Sequence, residues 1–234
     1  MRACCGLISA GSPVARQVAG IAAAVSIQTG AARAGVSRKQ MAIVVTLSGS
    51  PSPTSRSQGL LLRSIALLEE RGIEVKSFSL ADFDADALLF GHFENQAIRD
   101  FQKAVAEADG LIVATPVYKA AYSAGLKALL DVLPERALAR HVVLPLATGG
   151  SASHMLAVDY SLQPVLTALK AHHILGAVYA TEKDVHRDEH NRLRVTGEID
   201  ERLLIAVERF ASLLPHRKAL PSVYAGWGAA RISS

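Results

Sequence analysis

The stretch VTLSGSPSPTSRSQGLLL, residues 45–62, decides how the chain is read. A β-branched apolar run reaches Gly49, residues 50–57 are all Ser, Pro, Thr or Arg, and an apolar helix-like stretch follows. Residues 42–47 show no polar alternation, as expected of a strand buried on both faces. A helix opening near Ser57 leaves first-turn N–H groups unpaired and turns a positive dipole end toward the loop. Serine hydroxyls add donors and Arg56 adds a charge. The loop therefore reads either as a plain N-capping turn or as a phosphate site. It is not a Walker A loop, because no Gly-Lys-Ser/Thr follows, and with Gly49 alone it is not G-x-G-x-x-G.

Outward from there, strands and helices alternate. Leu61, Ile65 and Leu68 mark a helix over residues 57–71 that Gly72 stops. Residues 73–78 alternate and read as an edge strand. A helix over 97–108 leaves through Asp109-Gly110 into a buried strand at 111–114. Residues 120–133 read as a helix ending at Pro134, residues 141–147 as a strand, and Gly149-Gly150 as its exit. A long helix over 155–173 is interrupted only by Pro164. A fifth strand over 174–180 and a closing helix over 200–214 complete the series. Five strands alternating with helices predict one parallel, doubly wound sheet in a single domain, residues 41–214.

The formal charge of +4 comes from the first forty residues, which carry Arg2, Arg16, Arg33, Arg38 and Lys39 and no acid. The remainder is nearly neutral, which argues against nucleic acid as a partner. Both cysteines, Cys4 and Cys5, lie in the same segment, so the body has neither a disulfide framework nor a thiol metal site. That suits a reducing, cytoplasmic setting. The apolar run over residues 18–27 is too short to span a membrane, which takes about 20 residues. Residues 1–40 are expected to be a disordered leader or an extension upstream of a start at Met41, and residues 215–234 a loose tail.

Histidines and hydroxyls suggest no further chemistry. His186 and His190 have the spacing of a helical zinc pair, but KDVHRDEHNRLR reads as a solvated turn without a third ligand. Ser153, His154 and Asp159 lack a Gly-x-Ser-x-Gly elbow and triad geometry. LPERALARH reads as a solvated edge.

An open parallel sheet binds ligands beyond the carboxyl ends of its strands. Three Gly-, Pro- or hydroxyl-rich segments converge there: residues 48–57, Thr115-Pro116-Val117-Tyr118, and Thr148-Gly149-Gly150-Ser151. Tyr118 reads as a ring at the strand's end or as a core tyrosine. Gly149-Gly150 reads as a close-approach backbone or as a plain turn. Together, GSPSPTSRSQGLL from 49, ADGLIVATPVYKAAYSAGLKALLDVLPERAL from 108 and VVLPLATGGSASHMLAVDYSLQPVLTALKA from 142 resemble the NAD(P)H-dependent FMN reductases of the flavodoxin-like superfamily, above all those of alkanesulfonate utilisation.

The resemblance implies a five-stranded sheet in the order 2-1-3-4-5, helices on both faces, and FMN as cofactor. It implies FMN phosphate on Ser50, Ser55 and Ser57 with Arg56 nearby. The isoalloxazine would lie against Thr115, Pro116, Val117 and Tyr118, with Gly149 and Gly150 on its other side. Many relatives carry arginine where Ser52 stands. Here either Arg56 supplies that charge or phosphate is held more weakly. The resemblance further implies hydride transfer from NADPH, with NADH an open alternative, without a catalytic triad or metal. It implies a homodimer or homotetramer with Tyr122 at its interface, and an FMN-dependent monooxygenase component as partner. A quinone, azo or chromate reductase with bound FMN, and a flavodoxin-type electron carrier, are the competing readings.

Overall fold

The apolar run of the opening stretch forms β1 (Ile43–Ser48), buried from Val44 onward. The computed structural model describes residues 41–215 except Asn191. The expected leader and the tail beyond Pro215 lie outside the described residues. After β1 come α1 (Arg56–Glu69), β2 (Glu74–Ser79), α2 (Ala85–Phe90), α3 (Gln96–Glu107), β3 (Gly110–Tyr118), β4 (Ala121–Tyr122) and α4 (Ala124–Asp131). Next follow β5 (Val142–Thr148), α5 (Gln163–Ala168), β6 (His173–Ile174), β7 (Val178–Ala180), β8 (Val185–Arg187), β9 (Leu193–Val195) and α6 (Glu198–Leu213).

The main sheet runs β2-β1-β3-β5-β6, with β7 also paired to β5. These pairings are parallel, so the order is the expected flavodoxin-like 2-1-3-4-5 with its fifth strand in two pieces. Successive strand residues point to opposite faces. Val45, Leu47, Leu111, Val113 and Val143 join a core under α3 and α4, where Phe101, Leu126 and Leu129 pack. Val44, Ile112, Leu144 and Leu146 join a second core, with Leu60 and Leu68 of α1 and Leu203, Val207 and Phe210 of α6. Burial on both faces explains why the central strands read as continuous apolar runs. β2, at the edge, has no fully buried residue.

Several expectations are corrected. The helix expected over 120–133 begins only at Ala124. Lys119 (φ 50°) and Ala120 (φ 62°) form a tight turn that sends β4 back antiparallel along β3, pairing Val117 with Tyr122. The expected 155–173 helix, preceded by a 3₁₀ turn at Ala152–His154, is only a π-helical turn at Val158–Leu162 followed by α5, which ends at Ala168. Pro164 lacks an N–H to continue the ladder, and Lys170 (φ 67°) follows the helix end in the left-handed region. The fifth strand breaks between Ile174 and Val178, where the three residues 175–177 face only Leu144 and Pro145. Pro145 stands opposite the break and has no N–H to donate to the bulged strand. The charged segment expected as a solvated turn contains the β8–β9 hairpin, pairing Val185 with Val195. Asp109, expected in an exit turn, is buried, and its carboxylate accepts from the Ile43 N–H at 2.9 Å.

At the other end of the sheet, buried His141 precedes β5. Its Nε2 lies 2.8 Å from the Val105 carbonyl, which can only accept, so Nε2 carries the proton. Nδ1 has no partner among the described residues. Burial pushes the imidazole below its usual 6.5. Arg140 acts in the same direction, and the Val105 bond and Asp109 oppose it. The unfolded chain therefore takes up this proton first as pH falls. The His141 contribution is complete above 6.5 and is lost below it, toward the depressed folded value. His141→Gln keeps a donor for Val105 without the titration. Between about pH 7.5 and about pH 5.5, the wild type is expected to lose more stability to urea than this variant. Equal losses would show that His141 is not the titrating group.

Candidate functional site

The chain passes from β1 to α1 through residues 49–55. Gly49 N–H donates to the Ala114 carbonyl at 2.8 Å, carrying the ladder one residue past β1. Ser50 is buried, and its Oγ accepts from Ser52 N–H at 3.1 Å. Ser55 caps α1: its Oγ accepts from Gln58 N–H at 3.2 Å and lies 3.1 Å from Ser57 Oγ. The remaining first-turn N–H groups point out of the helix end, where α1 has no acidic residue. Arg56 sits on this rim, half exposed, with Nη1 3.1 Å from Glu182 Oε1. Ser57 is fully buried, so it faces the site less directly than Ser55.

β3 outruns β1 and carries the second loop. Thr115 and Pro116 are buried, Val117 is half-buried and the Tyr118 ring is 53% exposed at the strand's end. Tyr118 is therefore not a core tyrosine. Thr115 Oγ1 is turned inward and accepts from Ser123 N–H at 2.9 Å. Its place in the site is through its backbone and through Ser123.

Ser123 is the residue that sequence reasoning missed. It is buried, and its Oγ donates to the Gly49 carbonyl at 2.5 Å. The same oxygen accepts from Leu126 N–H at 3.1 Å, capping α4, and lies 3.2 Å from Thr115 Oγ1. One hydroxyl thus ties the first loop, the second loop and the start of α4 together. A serine just before an apolar helical run is an N-cap signal that could have located it, but only with the helix start placed correctly.

β5 delivers the third loop beside the second, with Thr148 paired to Pro116. Gly149 N–H donates to the Ala180 carbonyl at 3.1 Å, and Tyr179 Oη donates to the Ser151 carbonyl at 2.7 Å. A Cβ on Gly149 would stand 2.0 Å from Tyr179 Oη, whereas one on Gly150 would meet nothing within 4 Å. Gly149 is thus a close-approach glycine and Gly150 an open one. Gly149→Ala is expected to cost about 2 kcal/mol in thermal unfolding, as overpacking does. With Tyr179→Phe the nearest ring atom is Cζ at 3.1 Å, so the same change is expected to cost less than half as much in that background. An undiminished cost would place the strain elsewhere.

The three loops leave adjacent strands at one edge of the sheet, and two of them are bolted together. Residues 41–186 match the NADPH-dependent FMN reductases. The chain belongs to this family. Proteins named FMN reductase (NADPH) from Pseudomonas putida and Escherichia coli K12 are each 50% identical to it, over 176 and 175 residues. Both alignments cover 75% of this chain, and 89% and 91% of those proteins. The apo crystal structure of the NADH:FMN oxidoreductase EmoB matches with a TM-score of 0.68 at 36% identity, over 78% of this chain and 93% of that one. Membership makes the chain an oxidoreductase, and the chemistry of the family is that of FMN and NAD(P)H.

Tyr122 lies on β4, paired with Val117 of the second loop, rather than on an exposed helix start. It is half-buried against the apolar core, and burial pushes its hydroxyl up despite Lys127. His186 and His190 are exposed on the β8–β9 hairpin. Asp188 between them accepts from the Arg192 N–H at 2.9 Å, and this bond above all, with those from Arg194 Nε at 2.9 Å and Arg192 Nε at 3.0 Å, holds its carboxyl below the usual range. No group of three His, Cys, Asp or Glu suited to a metal occurs among the described residues, and no described helix is long and apolar enough to cross a membrane.

Proposed function

We propose that this chain oxidises NADPH, reduces FMN at the edge formed by the three loops, and releases reduced FMN to a two-component monooxygenase of the alkanesulfonate type. The observation that carries the site is the convergence of a serine-capped helix start, with no acidic residue of its own in the first turn, with an exposed tyrosine ring and a Cβ-free turn. These residues fit FMN. A phosphate dianion suits the first-turn N–H groups, Ser50, Ser55 and Arg56. A flat ring suits the gap between Val117-Tyr118 and Gly149-Gly150, where the backbone can approach closely.

Bound FMN supplies the ring that accepts hydride from NADPH. The residues of the chain bind and orient. Ser55 and the α1 start fix the phosphate end, and Ser123 sets the spacing between that end and the Tyr118 loop. Gly150, with nothing near its Cβ position, leaves room over the ring for a second planar group, while Gly149 seats the turn against Tyr179, and Tyr118 covers the outer side against water. No side chain at this edge is required to move a proton. The preference for NADPH over NADH follows the 50% identical relatives by name. The sulfonate setting rests on the likeness of the three quoted segments, as does the homo-oligomer with Tyr122 at its interface.

The test is NADPH oxidation by flavin-stripped protein with FMN titrated in. Saturable dependence on free FMN, with flavin lost on gel filtration, is expected. Tightly retained FMN with turnover only on addition of a quinone or dye would overturn the release step.

A further inference from the structure

The segment after β7 reaches back onto the first loop at two points. Arg187 Nη2 donates to the Thr54 carbonyl at 2.7 Å, across 133 residues of sequence. Glu182 Oε1 takes Arg56 Nη1 at 3.1 Å. The placement of Glu182 is built. Asp184 Oδ2 accepts from both Thr181 N–H and Thr181 Oγ1 at 2.7 Å, and Thr196 N–H donates to the Asp184 carbonyl at 3.2 Å. The following hairpin lies tight on α1, where a Cβ on Gly59 would stand 2.9 Å from Val185 Cγ1 and 3.1 Å from Leu193 Cβ. The carboxylate therefore comes from a turn fixed to the body of the protein.

Resting on the proposed FMN site, we infer that Glu182 is the counter-charge that keeps flavin phosphate weakly held, by occupying Arg56 and by repelling the phosphate dianion. Of the two arginines that meet the first loop, Arg187 is turned to the Thr54 carbonyl, and Arg56 is shared with Glu182 before any ligand arrives. A phosphate must either draw Arg56 away from Glu182 or accept a partly neutralised partner. Both effects act on the phosphate alone. They make Glu182 a specificity-determining residue that narrows the advantage of FMN over riboflavin and eases the departure of reduced FMN. The pair is solvent-exposed on both sides, so its influence is modest.

Flavin-stripped wild type and Glu182→Gln are titrated with FMN and with riboflavin, binding being followed by quenching of flavin fluorescence. The isosteric amide keeps an acceptor for Arg56 and removes the charge, and Glu182→Ala serves as a second variant. The expected result is that both variants bind FMN about five-fold more tightly and riboflavin unchanged. In an Arg56→Gln background the gain is expected to shrink. If the wild type prefers FMN but the variants do not improve on it, or if both flavins tighten equally, the inference is wrong and the site stands. If the wild type binds riboflavin as tightly as FMN, the phosphate site itself is wrong and the inference falls with it.

Discussion

Gly49→Ala is expected to destabilise the protein by about 3 kcal/mol and to weaken FMN binding at least about tenfold. The added Cβ would stand 2.5 Å from Leu126 Cβ, 2.9 Å from Ser123 Oγ and 3.1 Å from Leu126 Cα. None of these is the free end of a flexible side chain. Gly49 cannot retreat either, because its N–H is bonded to Ala114 and its carbonyl to Ser123. The helix cannot easily move away, since a Cβ on Gly125 would already lie 3.1 Å from Gly49 O and 2.3 Å from Leu80 Cδ1, which marks α4 as seated close on both. The strain must therefore go into the first loop, whose N–H groups then lose their aim. Urea unfolding reads the stability and fluorescence quenching the binding. A change under about 0.5 kcal/mol, the scale of an ordinary surface substitution, would mean that the loop and α4 are not in close contact.

Ser123→Ala is expected to cost about 3 kcal/mol. Loss of the α4 cap accounts for about 1 kcal/mol. Leaving the Gly49 carbonyl without its donor in a buried setting adds about 1–3 kcal/mol. Thr115 is coupled to this loss, because its hydroxyl meets both the oxygen and the N–H of Ser123. In a double-mutant cycle with Thr115→Val the two costs are therefore expected to fall short of additivity by about 1 kcal/mol. FMN binding is expected to weaken as well, since the first and second loops would no longer be held at one spacing. Full additivity with unchanged flavin binding would reduce Ser123 to a plain helix cap.

The sequence made the strands legible where burial on both faces leaves a plain apolar mark, as in β1 and β5. The first loop was legible because a capping serine and a hydroxyl-rich turn are local signals. The start of α4 was not. KAAYSAG has the composition of a good helix, and its turn places Lys119 and Ala120 at positive φ, where Gly or Asn would have announced the hairpin. The same misplacement hid Ser123. The β8–β9 hairpin was hidden because each strand has three residues and its apolar side offers little more than Val185, Leu193 and Val195 among charges. The contacts of Gly149 with Tyr179, and of Arg56 with Glu182, join distant parts of the chain. No local pattern reports them. The two-piece fifth strand has a legible cause only in hindsight, since Pro145 disturbs its neighbour rather than its own strand.

The central claim is that FMN binds with its phosphate on the first loop and its ring between the Tyr118 and Gly149 loops. A crystal structure of the protein soaked in FMN tests it most directly. The expected result is phosphate density bonded to the first-turn N–H groups of α1 and to Ser55, with the ring beside Val117-Tyr118 and Gly149-Gly150. Flavin ordered elsewhere, or a ring at this edge with its phosphate turned away from residues 50–57, would contradict the account.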